Sequence, residues 1–524
     1  MFAITAPGER GGIMSGTDDH DWGPFGRPLF EDPRARALSR VGVLDVGSNS
    51  VRLVVFDGAA RSPAYFFNEK ILCGLGAGLG ETGVLNPEGK ARALAAIRRF
   101  KMLAQAMDLA PLSAVATAAV RDAADGPAFR DQIETETGIR LFVIDGEQEA
   151  RLSAQGVLLG WPGAEGLMCD IGGASMELAE ISGGHVGRRV TSGLGPLKLR
   201  GRKGGKKALK SHIKAEMEAL AAEVGTAHQR LYLVGGSWRA IAKLDMLRRG
   251  YPLWVLHEYR MTPKDLKMTL DWIAKADLEA LRTETSTSSA RMSLVPVAAQ
   301  VLKRLVQTIR PKEIAVSAYG IREGLLYEQM PARLRTRDPL IEACRFIEQK
   351  DARLPGFGGD LYTFLRPLYK SANPARLRIV QAACLLHDVC WRAHPDYRHE
   401  EAFQTATRAN LGGLTHEERV FLGLALLHRY KNGRDNCHFS DIFRILPETE
   451  QNRAEVLGKA MRFGAMLSMD KPSERAKLLW RPNKRVLHLT LLPGAQDLFG
   501  EVARSRFQSL AQALGADTLV TQRR

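Results

Sequence analysis

Two short segments of the chain place an aspartate at the end of an apolar run and follow it with glycine and serine. Asp45 begins DVGSNS and Asp170 begins DIGGAS. Glycine lets backbone N–H groups approach an anion closely, and serine hydroxyls add donors without bulk. Because a carboxylate repels a bare phosphate, the pattern favours Mg²⁺ between them, held by Asp45 and Asp170. Two ordinary β-hairpins with glycine turns are the alternative.

These segments belong to a longer repeat. VLDVGSNSVRLVVFDG at 43–58 aligns with LMCDIGGASMELAEISG at 167–183, so that Asp45 falls on Asp170 and Leu53 on Leu178. The recurrence in register favours phosphate binding and predicts duplicated halves that face each other across a cleft. The predicted phosphate-binding residues are Gly47, Ser48, Asn49, Ser50, Gly172, Gly173, Ala174 and Ser175. A third strand-to-helix junction at 231–244, LYLVGGSWRAIAKL, adds Gly235 and Gly236.

Two further charged residues are candidates for the same site. Arg121 ends an apolar run in ATAAVRDA, where strand placement would aim its fixed donors at a phosphate oxygen. A surface ion pair with Asp122 or Asp125 is the alternative. Glu177 lies two residues after Ser175, so strand alternation puts both on one face, where Glu177 would support metal or water. An exposed strand residue is the alternative there.

The charge balance points to an acidic partner. Lys+Arg 74 against Asp+Glu 58 gives a formal net charge of +16, which favours nucleic acid, a polyanion or an anionic membrane without choosing between them. Part of the excess lies in one run, KLRGRKGGKKALK at 198–210, which predicts a path for a long polyanion or else a solvated loop. Its basic residues are Lys198, Arg200, Arg202, Lys203, Lys206, Lys207 and Lys210.

The elements that must position these residues can be predicted from periodicity. Strand-like runs alternate with helical spacing in the first part of the chain, which predicts an α/β domain with a mixed sheet. The predicted strands there are 41–47, 51–56, 114–120 and 139–145, and the predicted helices are 88–107 and about 127–137. A Thr/Ser cluster at 283–293 predicts a loop, and 311–327 returns to strand and helix.

Changes in composition and in the spacing of apolar residues divide the 524 residues into five predicted parts. Residues 1–40 are a mobile extension, 41–155 and 156–330 are two α/β halves, 331–480 are helical, and 481–524 form a small terminal unit. No stretch reaches the roughly 18 apolar residues that a membrane-spanning helix needs. Six cysteines without a CxxC pair favour a reducing cytoplasm.

The motifs together resemble the phosphate loops of the actin-like ATPase superfamily. More specifically, they resemble the exopolyphosphatase and guanosine pentaphosphate phosphatase (Ppx/GppA) family. The segments that carry the resemblance are VLDVGSNSVRLVV (43–55), ATAAVRDA (116–123), DGEQEARLSAQGV (145–157), CDIGGASMEL (169–178), VGGSWRAIA (234–242) and VSAYGIREGLL (316–326). The resemblance implies an α/β fold of two actin-like (ribonuclease H-like) halves facing across a cleft, then an all-α HD-like domain and a small C-terminal α/β unit.

The resemblance also implies a chemistry. Glu149, directly before Ala-Arg-Leu in GEQEARL, matches the family's catalytic glutamate. A carboxylate there can orient a water in line with a terminal phosphorus and accept its proton, whereas a solvated helix residue is the bland alternative. The expected function is release of orthophosphate from the end of inorganic polyphosphate, as in a long-form exopolyphosphatase. A guanosine pentaphosphate 5′-phosphohydrolase and a non-catalytic polyphosphate or nucleotide sensor are the other hypotheses.

The family resemblance implies Mg²⁺, with K⁺ as a candidate monovalent cation, and a cytoplasmic homodimer. Neither a membrane nor a specific nucleic acid is an expected partner. A sugar or acetate kinase of the same superfamily would need a separate base and an acceptor pocket, for which the sequence has no signal.

The helical region contains His387-Asp388 at the end of an apolar run, which resembles the adjacent pair of HD-type metal phosphohydrolases. Candidates to complete a metal cluster are His399, His428 and Asp470. Those enzymes also use a histidine upstream of the pair, and this chain has none between His257 and His387. We therefore expect a domain without a metal. The resemblance to long members of the exopolyphosphatase family implies that this domain is used for packing, dimerisation and polyanion binding.

Overall fold

The structure is a computed structural model that describes residues 40–57, 61–109, 112–330, 332–435 and 437–523. The predicted mobile extension, 1–40, lies outside the described residues except for Arg40. The described strands are β1 (Val41–Val46), β2 (Ser50–Phe56), β3 (Tyr65–Leu72), β4 (Ser113–Ala116), β5 (Leu141–Val143), β6 (Gly166–Ile171), β7 (Met176–Ser182), β8 (His185–Ser192), β9 (Arg230–Gly235), β10 (Arg260–Met261), β11 (Glu313–Val316), β12 (Ala476–Arg481), β13 (Val486–Leu491) and β14 (Asp517–Gln522).

Helices lie between these strands, and the chain beyond residue 328 is mostly helical. Up to residue 328 they are α1 (Leu79–Thr82), α2 (Pro87–Ala106), α3 (Ala118–Asp122), α4 (Gly126–Thr137), α5 (Gly146–Gly160), α6 (Pro196–Arg200), α7 (Gly205–Val224), α8 (Gly236–Arg248), α9 (Pro263–Ile273), α10 (Leu278–Glu284), α11 (Ser289–Met292), α12 (Val295–Ile309) and α13 (Ile321–Glu328). The later helices are α14 (Ala332–Arg335), α15 (Pro339–Asp351), α16 (Phe357–Leu365), α17 (Pro374–Leu386), α18 (Arg398–Arg408), α19 (His416–Tyr430), α20 (Ser440–Phe443), α21 (Glu448–Leu467), α22 (Pro472–Arg475) and α23 (Glu501–Leu514). Short 3₁₀ turns cover Arg366–Tyr369, Pro482–Lys484 and Gln496–Leu498.

Two sheets share one strand order. The first runs β3-β2-β1-β4-β5, and the second runs β8-β7-β6-β9-β11-β10. In each sheet the first three strands pair antiparallel and the next two add in parallel. The extra strand β10 pairs antiparallel at the edge of the second sheet. The predicted duplication of an α/β half is therefore confirmed.

Helix α5 begins where its sequence provides a capping box. The Asp145 carboxylate accepts from the Gln148 N–H at 2.7 Å, and the Gln148 side-chain oxygen accepts from the Asp145 N–H at 3.2 Å. Two of the free donors at the helix start are thereby satisfied. The cap fixes the first turn of α5, which carries Glu149.

Helices α5 and α13 cross with their backbones in contact. A Cβ added at Gly156 would lie 2.2 Å from the Gly320 carbonyl oxygen, and one at Gly324 would lie 1.8 Å from the Leu152 carbonyl oxygen. No side chain fits at such distances, so the crossing depends on glycine. It brings the first turn of α13, with Arg322, towards the hairpins of both sheets.

Residues beyond 339 form a largely helical region with one hydrophobic core. The rings of Phe463 (α21) and Phe507 (α23) pack with centroids 5.2 Å apart, and Leu487 and Leu489 of β13 are buried in the same core. The third sheet, β12-β13-β14, packs here. Its hairpin β12–β13 crosses the predicted division at 480/481, just as α5 crosses the one at 155/156.

Two local predictions are wrong. The strand predicted at 114–120 ends at Ala116, and Arg121 lies in the last turn of α3 rather than at the end of a strand. Alanine favours helix over strand, and two alanines open α3. The loop predicted at 283–293 contains α11. No helix among the described residues is long and apolar enough to cross a membrane.

Candidate active site

The two predicted phosphate segments form the same turn. The Gly47 N–H donates to the Ser50 carbonyl at 3.0 Å, and the Gly172 N–H donates to the Ser175 carbonyl at 3.0 Å. The repeat therefore preserves hairpin geometry as well as sequence. The hairpins differ across the ladder, because Asp45 faces Arg52 whereas Asp170 faces Glu177.

The two hairpins meet. A Cβ built on Gly173 would lie 3.6 Å from the Cβ of Ser48. Residues from both hairpins line one cleft of about 240 Å³. The predicted residues among its lining are Asp45, Gly47, Ser48, Asn49, Ser50, Glu149, Asp170, Gly172, Gly173, Ser175, Gly235 and Gly236. Ala174 and Glu177 are outside that lining, although both belong to the second hairpin.

Only glycine fits at position 235, where the backbone passes close to Asp170 on one side of the cleft. Its φ is 111°, and an added Cβ would lie 2.6 Å from the Ile171 carbonyl oxygen and 2.9 Å from Asp170 Oδ1. A side chain there would be strained and would displace the aspartate. The third glycine junction of the sequence thus supports the position of Asp170.

Three carboxylates line the cleft. Glu149 is 8% exposed, and burial, followed by repulsion from Asp170, raises its pKa to about 8. Burial also raises the pKa of Asp170, which accepts a hydrogen bond from the Ser153 hydroxyl on α5, and the pKa of Asp45, which Arg322 opposes. Burial thus disfavours the charged form of all three carboxylates, and cations favour it.

The carboxylates fit the expected Mg²⁺. Glu177 is fully buried; Oε1 accepts from the Thr191 hydroxyl at 3.2 Å, and Oε2 has no hydrogen-bond partner within the described residues. Burial, then repulsion from Glu149, raises its pKa well above the usual value. No three acidic, histidine or cysteine side chains of the described residues form a closed cage. Mg²⁺ does not need one, since it takes one or two carboxylates and completes its shell with phosphate and water.

Five basic residues that the sequence analysis missed line the same cleft. They are Arg52, Lys70, Arg239, Arg291 and Arg322. No acidic side chain of the described residues forms an ion pair with Lys70, Arg239 or Arg291, and Nε of Arg239 and Arg322 is buried without a hydrogen-bond partner among the described residues. Lys70 is exposed and Arg239 and Arg291 are half-buried, so each can reach a ligand in the cleft. The cleft thus holds cations that an anionic ligand could pair with.

Only part of this basic group has a sequence signal. Arg52, Arg239 and Arg322 lie inside the segments VLDVGSNSVRLVV, VGGSWRAIA and VSAYGIREGLL, so a reader of those motifs could have singled them out. Lys70 lies on the edge strand β3 and Arg291 lies in α11, within the predicted loop. Neither position has a local pattern, and only the fold brings them to the cleft.

The remaining predicted residues lie beside the cleft. Arg121 Nη1 is 3.5 Å from Glu149 Oε2 and donates to the Ile144 carbonyl at 3.1 Å, while Nε donates to Asp122 at 3.1 Å. The basic run 198–210 begins one residue beyond Leu197, a cleft residue whose N–H donates to the Gly173 carbonyl at 2.9 Å. None of its seven basic side chains is among the residues that line the cleft.

The HD-like pair has structural partners. Asp388 accepts two hydrogen bonds from Arg353, each at 2.7 Å, and His387 Nδ1 lies 2.8 Å from the Cys384 carbonyl oxygen. His428 Nδ1 lies 3.2 Å from the Lys431 carbonyl oxygen. The two hydrogen bonds from Arg353 engage the Asp388 carboxylate, which a metal would need. These contacts therefore hold the helical region together.

Duplicated α/β halves whose glycine hairpins meet over an anion cleft define the actin-like class of phosphate-binding proteins. The solved structure of an exopolyphosphatase from Cytophaga hutchinsonii has this fold: it covers 55% of this chain and 97% of its own, with a TM-score of 0.50 and 23% identity. The chain belongs to the Ppx/GppA phosphatase family, whose profile matches residues 54–333; the profile of the exopolyphosphatase C-terminal domain matches residues 356–520.

Three curated relatives have different functional names. Retrograde regulation protein 2 of Saccharomyces cerevisiae is 23% identical over 500 residues, 86% of this chain and 80% of its own length. Exopolyphosphatase 1 of Mycobacterium tuberculosis is 35% identical over 143 residues, 27% of this chain and 42% of that protein. Guanosine-5'-triphosphate,3'-diphosphate pyrophosphatase of Aeromonas salmonicida is 26% identical over 66% of this chain and 72% of its own. The match thus spans less than half of the mycobacterial protein.

Proposed function

We propose that the protein is an exopolyphosphatase that hydrolyses the terminal phosphoanhydride of inorganic polyphosphate. The observation that carries this proposal is the composition of one cleft: Glu149 lies there with both glycine hairpins, and Lys70, Arg239 and Arg291 line it without a carboxylate partner among the described residues. Anionic phosphate oxygens would complete these cations. The names of two relatives, an exopolyphosphatase and a guanosine phosphate hydrolase, agree with phosphoanhydride chemistry.

The roles of the chain's own residues follow from their positions. Backbone N–H groups and hydroxyls of the two hairpins hold the terminal phosphates, and Glu149 orients a water and accepts its proton. Arg121, 3.5 Å from Glu149, keeps that carboxylate in place and offsets charge at the edge of the site. Asp45 and Asp170 would hold Mg²⁺, and Glu177, which lies outside the cleft lining, would support them. When bound, Mg²⁺ draws negative charge from the phosphate oxygens.

Two features of the surface favour a polymer over a nucleotide. No aromatic ring is present among the described residues that line the cleft, and a nucleobase usually stacks on one. The basic run at 198–210 begins beside Leu197 at the cleft, so a long chain leaving the site would meet cations. Both features suit a substrate that is recognised through phosphate alone.

A side-by-side assay tests this proposal. Orthophosphate release is measured from long-chain polyphosphate and from guanosine pentaphosphate, with Mg²⁺ and with a chelator. We expect a higher kcat/KM for the polymer and loss of both activities in the chelator. Release from guanosine pentaphosphate without release from the polymer would contradict the proposal and identify the nucleotide phosphohydrolase.

A non-catalytic sensor is a second candidate, because the match to Retrograde regulation protein 2 extends over 86% of this chain. A sensor would bind the polymer through the same cations and would signal through its helical region. Tight binding of polyphosphate with no release of phosphate in Mg²⁺ would favour it. The retained Asp45, Glu149 and Asp170 in one cleft favour hydrolysis.

A further inference from the structure

Glu323 is a fully buried carboxylate that the proposed chemistry does not use. It directly follows Arg322 in the first turn of α13. Its Oε2 accepts a hydrogen bond from the Gly320 N–H at 2.8 Å, and its Oε1 accepts one from the Tyr65 hydroxyl at 2.8 Å. These are its two hydrogen bonds within the described residues. A buried carboxylate with so few donors depends on each of them.

The two donors come from different halves of the molecule. Gly320 is the N-cap residue of α13, so its bond to Glu323 belongs to the local cap of that helix. Tyr65 begins β3 at the edge of the first sheet, and it lies 258 residues earlier in the chain. Although Tyr65 is 38% exposed, its hydroxyl reaches the buried carboxylate. The Tyr65 bond therefore joins the first sheet to the helix that carries Arg322.

A second connection joins the same two segments. Asn410, which lies between α18 and α19, accepts from the Tyr319 hydroxyl at 3.2 Å and donates to the Pro63 carbonyl at 3.2 Å. Tyr319 directly precedes the N-cap of α13, and Pro63 lies two residues before Tyr65. The bond between Tyr65 and Glu323 thus lies where both α/β halves meet the helical region, which holds the backbone on either side of it.

The bond to Tyr65 bears on the cleft through the first turn of α13. Arg322 lines the cleft, whereas its neighbour Glu323 does not. Without the Tyr65 hydroxyl, Oε1 of Glu323 would be a buried charged acceptor with no donor, which costs more than the bond itself is worth. The first turn of α13 would have to move to bring this carboxylate to water. Arg322 would then move with it.

We propose that Tyr65 is a positioning residue: through Glu323 it fixes the first turn of α13 and thereby holds Arg322 in the cleft where phosphate binds. Tyr65 does not itself line the cleft, so it acts through these neighbours. This inference rests on the proposed function, because it takes polyphosphate as the ligand that Arg322 contacts. Tyr65→Phe is a clean test, since it removes the hydroxyl and keeps the ring that packs on Phe56 with centroids 5.6 Å apart.

Binding of tripolyphosphate, measured by isothermal titration calorimetry with Mg²⁺ in the full-length Glu149→Gln protein, tests the inference without turnover. Tyr65→Phe should raise the Kd about fivefold in this background. After Arg322→Gln the same substitution should change the Kd by less than about twofold, because the residue that Tyr65 positions is gone. Tyr369→Phe is the matched control, since its hydroxyl has no hydrogen-bond partner within the described residues. An unchanged Kd after Tyr65→Phe, or an equal rise with and without Arg322, would overturn the proposal.

Hydrogen exchange followed by mass spectrometry gives a second readout that needs no ligand. The Gly320 N–H donates to Glu323, and the Gly324 N–H donates to the Gly320 carbonyl at 2.9 Å. Tyr65→Phe should speed exchange in a peptide that covers 317–327 about fivefold and leave peptides of α21 unchanged. Unchanged exchange in 317–327 would overturn the proposal. If the parent protein does not bind tripolyphosphate, the proposed function fails, and the exchange result alone decides this inference.

Discussion

Arg322 Nη1 lies 3.5 Å from Asp45 Oδ2, so helix α13 reaches the carboxylate of the first phosphate hairpin. The two side chains are 12% and 20% exposed, and Arg322 Nε has no hydrogen-bond partner within the described residues. Burial lowers the pKa of Arg322, but attraction from Glu323 and Asp45 outweighs it and leaves the pKa raised. Arg322 thus steadies a metal-binding candidate, and its side chain lines the cleft in which phosphate would bind.

Arg322→Gln should lower kcat/KM for polyphosphate about 30-fold to 100-fold, because a charge-assisted hydrogen bond to phosphate is worth roughly 2–3 kcal/mol. Arg282→Gln is the control, since Arg282 is on the surface and pairs with Glu279 in the same helix. Initial rates of phosphate release measure both variants. Equal loss in the two variants would remove the reason for placing Arg322 at the substrate.

Loss of the Lys70 charge should lower kcat/KM at alkaline pH. Partial desolvation, then repulsion from Arg291 and Arg52, lowers the pKa of Lys70 to about 8. The ammonium is charged below this value, so kcat/KM for a polyanion should fall as the pH rises through about 8. In Lys70→Arg the guanidinium stays charged, and the fall should be absent from this range. Identical pH profiles of the two proteins would contradict the assignment.

Gly324→Ala should damage both stability and catalysis. Its Cβ would lie 1.8 Å from the Leu152 carbonyl oxygen, so α5 and α13 must separate. We expect a loss of roughly 1–3 kcal/mol in the free energy of unfolding, together with reduced kcat because α5 carries Glu149. Gly359→Ala, where nothing lies within 4 Å of the added Cβ, is the matched control and should be neutral or stabilising. Urea unfolding and initial rates compare the two.

Acid should destabilise the helical region through its buried histidines. His416 Nδ1 lies 2.8 Å from the Tyr251 hydroxyl and Nε2 lies 3.1 Å from the His257 carbonyl oxygen, so a neutral ring can accept from the first and donate to the second. Burial lowers the pKa of His416 from 6.5 to about 4. Its contribution is complete above about pH 6.5 and is lost as the pH falls towards 4, by roughly 3 kcal/mol in total.

Unfolding free energies measured against pH test this linkage. His416→Gln should flatten the decline below pH 6.5, whereas His394→Gln should not, because His394 is exposed. If the His416 variant declines as steeply as the wild type, the ring does not supply the effect.

The sequence repeat was sufficient to predict the hairpins, because glycine, serine and aspartate at fixed spacing determine a local turn that tertiary contacts do not alter. The prediction for Arg121 was less complete: the motif was found, but two alanines start a helix where a strand was expected. Local patterns are reliable where a side chain's neighbours are close in sequence. The two glycine hairpins meet that condition.

The basic residues of the cleft cannot be predicted from local patterns in the same way. Lys70 on an edge strand and Arg291 in a short helix resemble solvated residues when only their neighbours in sequence are considered. The sheet order β3-β2-β1 brings Lys70 to the cleft, and Arg291 reaches it because its guanidinium packs against Gly236; both are non-local features. The pairing of β12 with β13 is non-local in the same way, and the division predicted at 480/481 falls within β12.

Glu149 is proposed to prepare the attacking water between two phosphate hairpins, and Glu149→Gln tests this role most directly. Glu147→Gln is the matched control: Glu147 lies in the same first turn, is 64% exposed, and has Arg189, at 3.8 Å, as its one ion-pair partner among the described residues. We expect Glu149→Gln to lower kcat about 10³-fold while the Kd for polyphosphate stays within about threefold, since the base acts on the water and the hairpins bind the polymer. A Glu149→Gln enzyme that retains kcat within about tenfold of the Glu147→Gln control would contradict the account.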